Sequence, residues 1–265
     1  MFDNAEAFQK YMGRWSRLLA PLLVDFADVR DQGLALDVGS GTGVLAFSLA
    51  EMRPRCEVLG IDRSKEYVEF AASRNPFPER VKFEVGDAQQ MHFRDGTFQS
   101  SLSMLVFNFI PDSRKALREV IRVAKPGGVI SAAVWDYGDG MRMLRLLWDA
   151  AAAVDPRARS LQESHMPLCR QGELRQLWTE GGLRDVREQP LEIEMRFQSF
   201  ADYWDPFLLG QGSAGAYVRS IGDDRRTALR GELRARLKLS SEDSPFSLTA
   251  RAWAVRGVVS VSGPR

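Results

Sequence analysis

Apolar residues in this chain fall into short unbroken runs that alternate with stretches of helical spacing. The runs at 34–38, 58–62, 81–85, 98–105 and 129–135 are the length of buried strands. Between them, 44–52, 65–73 and 114–123 repeat apolar residues every three or four positions and predict helices. Such alternation implies a parallel sheet with helices on both faces. Ahead of it, the spacing of Trp15, Leu18, Leu19, Leu22, Leu23 and Phe26 predicts that 1–30 is helical.

After position 137 the pattern loosens. A helix is expected over 141–154, a loop over 156–169 and a short helix over 173–180 closed by Gly181 and Gly182. Strict alternation (Val186, Leu191, Ile193, Met195, Phe197) predicts a sixth strand over 183–197, and 246–259 a seventh. The stretch 200–240 is too long for a hairpin. Phe200, Tyr203, Trp204, Phe207 and Leu208 predict one helix in it, and Leu229, Leu233, Leu237 and Leu239 another. Pro126-Gly127-Gly128 is expected to stop the helix before the fifth strand. Residues 260–265 read as a frayed tail.

Chemistry concentrates where the first strand meets its helix. Leu34 to Ala46 reads LALDVGSGTGVLA, with glycines at 39, 41 and 43. Glycine tolerates positive φ and lets a ligand approach the main chain, and helix N-termini favour polar ligands. Two ligands compete for such a turn. Gly41-Thr-Gly43-Val-Leu-Ala46 satisfies the dinucleotide pattern G-x-G-x-x-G/A. Asp37, just ahead of the first glycine, would repel a pyrophosphate and attract a cation. S-adenosylmethionine carries an ammonium and a sulfonium.

At this point the chain resembles the class I S-adenosylmethionine-dependent methyltransferases. Their first motif, (D/E)-x-G-x-G-x-G, is matched throughout by Asp37 to Gly43. The match continues in order from about Tyr11 to Tyr137: CEVLGIDRS ends in Asp62, about 20 residues past the glycines, where an acid accepts ribose hydroxyls. VKFEVGDAQQM carries the acid-plus-small pair Asp87-Ala88 that meets adenine in the family. FQSSLSMLVFNFIPD, ALREVIRVAKPGGVISAAVWD and the N-terminal YMGRWSRLLA complete it; the last resembles a small-molecule subgroup acting in ubiquinone and menaquinone biosynthesis. The resemblance implies a Rossmann-like seven-stranded, mostly parallel sheet with an antiparallel last strand and a helical cap insert. It implies cofactor contacts from Tyr11, Arg14, Asp37, Gly39, Ser40, Gly41, Asp62, Arg63, Asp87, Ala88, Met104, Leu105 and Asn108. The expected organisation is an N-terminal lid (1–30), a cofactor domain (31–199 and 241–259) and a cap (200–240).

Methyl transfer from a sulfonium is an in-line displacement, so a general base is needed only for an acceptor of high pKa. Asp136, after the fifth strand, and His165, before the helix at 173–180, are the candidates. His92 reads as a surface residue. Phe107, Phe109, Trp135, Tyr203, Trp204 and Phe207 either line an apolar acceptor pocket or belong to the core, and Arg14 is a candidate partner for the cofactor carboxylate. No Cys or His cluster has metal-ligand spacing. The Asn-Pro-Pro-Tyr pattern of amino-group methyltransferases on bases or glutamine is missing.

Composition changes the picture little. Thirty-six basic residues balance 35 acidic ones, for a net charge of +1 over 265 residues, so bulk charge does not point to nucleic acid or membrane. Cys56 and Cys169 suit free thiols of a reducing compartment, and no apolar run reaches the ~18 residues of a membrane span. The expectation is a cytoplasmic monomer or homodimer acting on a small apolar or aromatic acceptor. Two alternatives stay open: a non-catalytic cofactor-binding protein, and a nicotinamide-dependent oxidoreductase, which the missing Tyr-x-x-x-Lys pattern disfavours.

Overall fold

The structure, a computed structural model, describes residues 5–261. Positions 1–4 of the expected lid, and most of the tail expected to fray, lie outside the described residues. Seven strands form one sheet in the order β3-β2-β1-β4-β5-β7-β6. They are β1 (Gly33–Val38), β2 (Cys56–Asp62), β3 (Val81–Val85), β4 (Phe98–Met104), β5 (Ala124–Trp135), β6 (Arg184–Phe197) and β7 (Phe246–Val258). The first five pair in parallel. β7 runs antiparallel between β5 and β6, from Val129↔Val258 to Trp135↔Ala252 on one side and to Phe197↔Phe246 on the other. The expected seven-stranded sheet with an antiparallel last strand is therefore present. The chain order reverses between β1 and β4, which creates a crevice at the carboxyl ends of both strands.

The helices are α1 (Ala5–Phe8), α2 (Arg14–Ala27), α3 (Val44–Met52), α4 (Lys65–Ser73), α5 (Ser113–Val123), α6 (Arg142–Val154), α7 (Glu173–Glu180), α8 (Phe200–Trp204), α9 (Gly212–Ser220) and α10 (Asp223–Leu237). Alternate strand residues serve two apolar layers, as the period of two requires. Ala35 joins α2, α3 and α6 on one face, and Leu36 and Val38 join α5 and α7 on the other. α1 and α2 are joined by a π-helical turn at Gln9–Gly13.

Two local expectations are corrected. α5 ends at Val123, before the proline and glycines, and the strand begins at once: Ala124 pairs with Phe98, then the register shifts so that Ser100 faces Val129. Pro126 to Gly128 form that irregularity instead of a helix-stopping turn. A Cβ on Gly128 would lie 2.8 Å from the Lys125 carbonyl oxygen and 2.9 Å from that of Gln99. The segment between β6 and β7 also holds a helix beyond the two expected. α9 contains Gly212, Ser213 and Gly215, which read as breakers. Gly215 is required there because a Cβ would stand 2.8 Å from the Gly210 carbonyl carbon, and packing outweighs intrinsic propensity.

Candidate active site

The glycine turn is built around Asp37 and Asp62. After β1, the Gly39 and Ser40 N–H groups both donate to the Ile61 carbonyl at 2.8 Å, fastening the turn to β2. Gly39 has φ +74°, and a Cβ there would lie 2.5 Å from the Val106 methyls. Gly41 has φ +50°, and a Cβ there would meet nothing within 4 Å. The first glycine thus serves close packing, and the second leaves open space. The Gly41 N–H donates to Asp62 Oδ2 at 2.9 Å and the Ser64 N–H to Oδ1 at 2.8 Å, which fixes the orientation of that carboxylate.

Asp37 shares the strand phase of Ala35 and is 1% exposed. Neither of its oxygens has a hydrogen-bond partner among the described residues. Burial pushes the carboxyl up to about 8; the Ala46 main-chain N–H, in the first turn of α3, pulls the other way, and the nearby Asp62 charge adds a smaller rise. An orphaned buried carboxyl of this kind is costly unless a partner arrives. Ser40 Oγ is likewise buried without a partner.

Two neighbouring hollows share Gly39, Asp62, Val106 and Phe109. The smaller, about 140 Å³, is walled by Asp62, Arg63, Asp87, Ala88 and the loop at 109–111. Asp87 accepts from the Gln89 N–H at 2.8 Å and from Gln89 Nε2 at 3.2 Å; the main-chain bond is the main reason its carboxyl lies below the usual range. Arg63 is an exposed residue at the rim, 3.8 Å from Asp87.

The larger cavity, about 260 Å³, starts at Asp37, Ser40 and Gly41 and continues between the N-terminal segment and α9. The π-helical turn brings Tyr11 and Met12 into its wall, a frequent use of such turns. Met104 and Leu105 enter from the end of β4, where Leu105 is held at φ +65°. Trp135 enters from the end of β5, and its indole N–H finds no acceptor among the described residues. Tyr11 packs edge-on against Phe207, with ring centroids 5.6 Å apart. Burial, with the Glu163 carboxyl nearby, pushes its phenol well above the usual value.

Four expected site residues are brought to neither hollow. Arg14 donates to Asp202 Oδ1 at 2.7 Å and lies over the Trp15 ring at 4.1 Å, so its charge is already engaged. Asn108 is one layer behind the wall, donating to Met166 Sδ at 3.5 Å. Asp136 is buried but accepts two bonds from Arg251, at 2.6 and 2.9 Å, and two more from the Gly138 and Asp139 N–H groups. It closes the loop after β5 and is not free to act as a base. His165 is exposed on the outer surface beside Arg145 and Asp149. Of the six aromatic residues weighed for the pocket, Phe109 and Trp135 line it. Phe107, Tyr203, Trp204 and Phe207 are buried core, with the Tyr203 hydroxyl donating to the Met143 carbonyl at 2.9 Å.

Glu163, Met166 and Ser213 also line the cavity, and no sequence signal points to them. They lie in stretches without periodicity, and only the packing of α9 against the loop after α6 brings them inward. Among the described residues no group of three or more His, Cys, Asp or Glu could hold a metal ion, and no helix is long and apolar enough to cross a membrane.

Comparison with known proteins places this geometry. A family model described as a methyltransferase domain matches residues 31–182. Methyltransferase ucsB of Acremonium sp is 27% identical over 242 residues, covering 84% of this chain and 81% of that protein. A demethylmenaquinone methyltransferase of Staphylococcus aureus is 37% identical over 103 residues, 38% of this chain and 43% of the relative. The match to the Staphylococcus aureus enzyme thus spans less than half of that protein's length. The crystal structure of YcgJ from Bacillus subtilis superposes with a TM-score of 0.59 at 22% identity, over 91% of this chain and 97% of that one. A Haemonchus contortus phosphoethanolamine N-methyltransferase, solved with S-adenosyl-L-methionine, gives the same score at 18% identity, over 97% of this chain and 57% of that one. The chain belongs to the methyltransferase-domain family and is a class I, S-adenosylmethionine-dependent methyltransferase.

Proposed function

We propose that the protein transfers a methyl group to a small apolar or aromatic acceptor held in the larger cavity. The observation that carries this reading is Asp37, a buried carboxyl without a partner at the foot of a glycine turn that opens into that cavity. A cation is what such a group lacks, and the amino-acid end of the cofactor carries an ammonium. A nicotinamide dinucleotide would present phosphate there and be repelled.

When bound, S-adenosylmethionine supplies an activated methyl on a sulfonium. The chain's residues do the rest. Asp37 compensates the ammonium, and Gly41 leaves room for close approach. Asp62, already oriented by two main-chain N–H groups, offers its remaining lone pairs to the ribose. Asp87 and Ala88 border the base. Tyr11, Met12, Leu105 and Trp135 surround the acceptor and exclude water, which favours a displacement of this type.

Residues 1–30 act as a lid and 200–240 as a cap over the cofactor domain formed by 31–199 and 241–259. The contacts of Phe8, Tyr11 and Met12 on one side and of Gly212 and Ser213 on the other support this division. The name of the Staphylococcus aureus relative supports a small-molecule acceptor. The reading extends to a cytoplasmic monomer or homodimer with no nucleic-acid or membrane partner, in keeping with the net charge of +1.

The test is calorimetric titration of S-adenosylhomocysteine and NAD into the wild type and Asp62→Ala. Loss of a charge-assisted acceptor is worth ~1.5–3 kcal/mol, so affinity for S-adenosylhomocysteine should fall about 10- to 150-fold. Unchanged affinity, or tighter binding of NAD, would overturn the assignment. Removing residues 1–13 should abolish turnover while the sheet stays folded.

A further inference from the structure

The N-terminal segment is fastened to the glycine turn itself. Gln9, in the π-helical turn, donates from Nε2 to Thr42 Oγ1. Thr42 stands between Gly41 and Gly43 and is 5% exposed. Arg17, on α2, donates to Gln9 Oε1 at 2.6 Å. A guanidinium has no acceptor, so it fixes the amide with its oxygen toward Arg17 and its nitrogen toward Thr42. The same segment reaches α4, where the Ala5 N–H donates to Glu66 Oε1 at 3.1 Å and the Phe8 and Tyr67 rings lie 5.9 Å apart.

Gly13 makes room for this amide. Its φ of −58° and ψ of −36° are those of a right-handed helix, so the backbone does not call for glycine. Glycine within a helix costs stability relative to alanine, and the packing here supplies the reason for it. A Cβ on Gly13 would stand 2.7 Å from Gln9 Cδ and closer still to Oε1. Phe8, Tyr11 and Met12, on either side of Gln9, line the cavity that begins at Asp37, Ser40 and Gly41, and Thr42 lines it too. The bond thus ties two parts of that cavity's wall together.

We propose that Gln9 is a positioning residue that latches the lid to the glycine turn, and so sets the rate at which the cofactor enters and S-adenosylhomocysteine leaves. Gln9 acts through Thr42 and the lid. This inference rests on the proposed function, in which that turn holds the cofactor. The latch joins protein to protein. Loosening it lowers the same barrier for entry and for exit, and product release through a lid limits turnover in many enzymes.

Stopped-flow tryptophan fluorescence of S-adenosylhomocysteine binding to the full chain gives both rates, with Trp135 in the cavity wall as reporter. Gln9→Leu removes the amide, Thr42→Val removes the hydroxyl at nearly constant shape, and Gly13→Ala pushes the amide aside. Each should raise the association and dissociation rates together by about fivefold, the factor that one net hydrogen bond carries, and leave Kd within about twofold. Gln9→Leu combined with Thr42→Val should add nothing to either change alone, as expected for one shared contact. A residue that merely stabilised the fold would lower the melting temperature and leave the two rates alone. A residue touching the ligand would change Kd. Unchanged rates in the folded variants, a dissociation rate raised alone, or additive effects in the double variant would overturn the proposal. If one single variant fails to fold, the other two decide. Failure of S-adenosylhomocysteine to bind the wild type would instead count against the proposed function.

Discussion

Arg14 donates to the Asp202 carboxylate at 2.7 Å and to the Asp202 main-chain carbonyl at 3.0 Å, across 188 positions of sequence. The pair ties the N-terminal helix to the first helix of the insert. Both side chains are about one-third exposed (32% and 28%), so solvent screens the pair. Together with the Trp15 ring under the guanidinium, the contact contributes about 1 kcal/mol. Arg14→Ala should lower the melting temperature by a few degrees and leave S-adenosylhomocysteine affinity within about twofold, because Arg14 does not line the cavity. A tenfold or greater loss of affinity in calorimetry would return Arg14 to the cofactor carboxylate.

Asp37 should make cofactor affinity depend on pH. Its carboxyl is raised to about 8 in the folded chain, against an ordinary value of 3.8. Between those values the folded state holds more protons than the unfolded state, so this group's contribution to stability is complete below about 4 and is lost as pH rises toward about 8. An ammonium placed beside it favours the ionised form, so binding expels a proton and affinity should rise between about pH 6 and 8. Asp37→Asn should flatten both dependences, raise the melting temperature of the ligand-free protein at pH 8 and weaken S-adenosylhomocysteine binding. Melting curves and calorimetry across that range check the sign.

Gly39 and Gly41 should respond differently to the same added methyl. Gly41→Ala places its Cβ in open space, so the fold survives at a cost of about 1–2 kcal/mol for the left-handed backbone. Cofactor affinity should nevertheless fall at least tenfold, because the methyl enters the groove. Gly39→Ala drives a Cβ into Val106 at 2.5 Å and should destabilise the chain more than it alters a specific contact. Circular dichroism melts beside titration separate the two outcomes.

Asp136 should prove structural. Its side chain is 8% exposed and that of Arg251 is 33% exposed. Removing one partner of such a buried pair costs about 3 kcal/mol. Asp136→Asn should therefore lower the melting temperature by several degrees, with any loss of turnover following the loss of folded protein. The ionisation limb that a missing base removes from a pH–rate profile should remain in place. A folded Asp136→Asn protein whose profile lost that limb would restore the catalytic assignment.

The strands and the helices that alternate with them were legible in the chain because burial imposes a period on local sequence. The bounds of α3 (Val44–Met52), α4 (Lys65–Ser73), β3 (Val81–Val85) and α7 (Glu173–Glu180) are those the apolar pattern predicts. The gathering of three acids was legible for a related reason: Asp37, Asp62 and Asp87 sit at or near the ends of successive strands, and a parallel sheet brings those ends to one edge. The rest of the larger cavity's lining was not legible. Whether Arg14, Asn108 and Asp136 are free or already paired depends on Asp202, Met166 and Arg251, partners that lie far away in sequence and have no periodic signature. His165 and Glu163 lie two positions apart in one short turn, and the packing of α9 against it turned the glutamate inward and left the histidine in solvent. Local sequence determined the sheet and the edge where its three acids gather, because backbone hydrogen bonding and burial follow near neighbours. Tertiary packing alone decided which polar side chains face the cavity, because that depends on contacts between segments whose order in the chain says nothing of their distance in space.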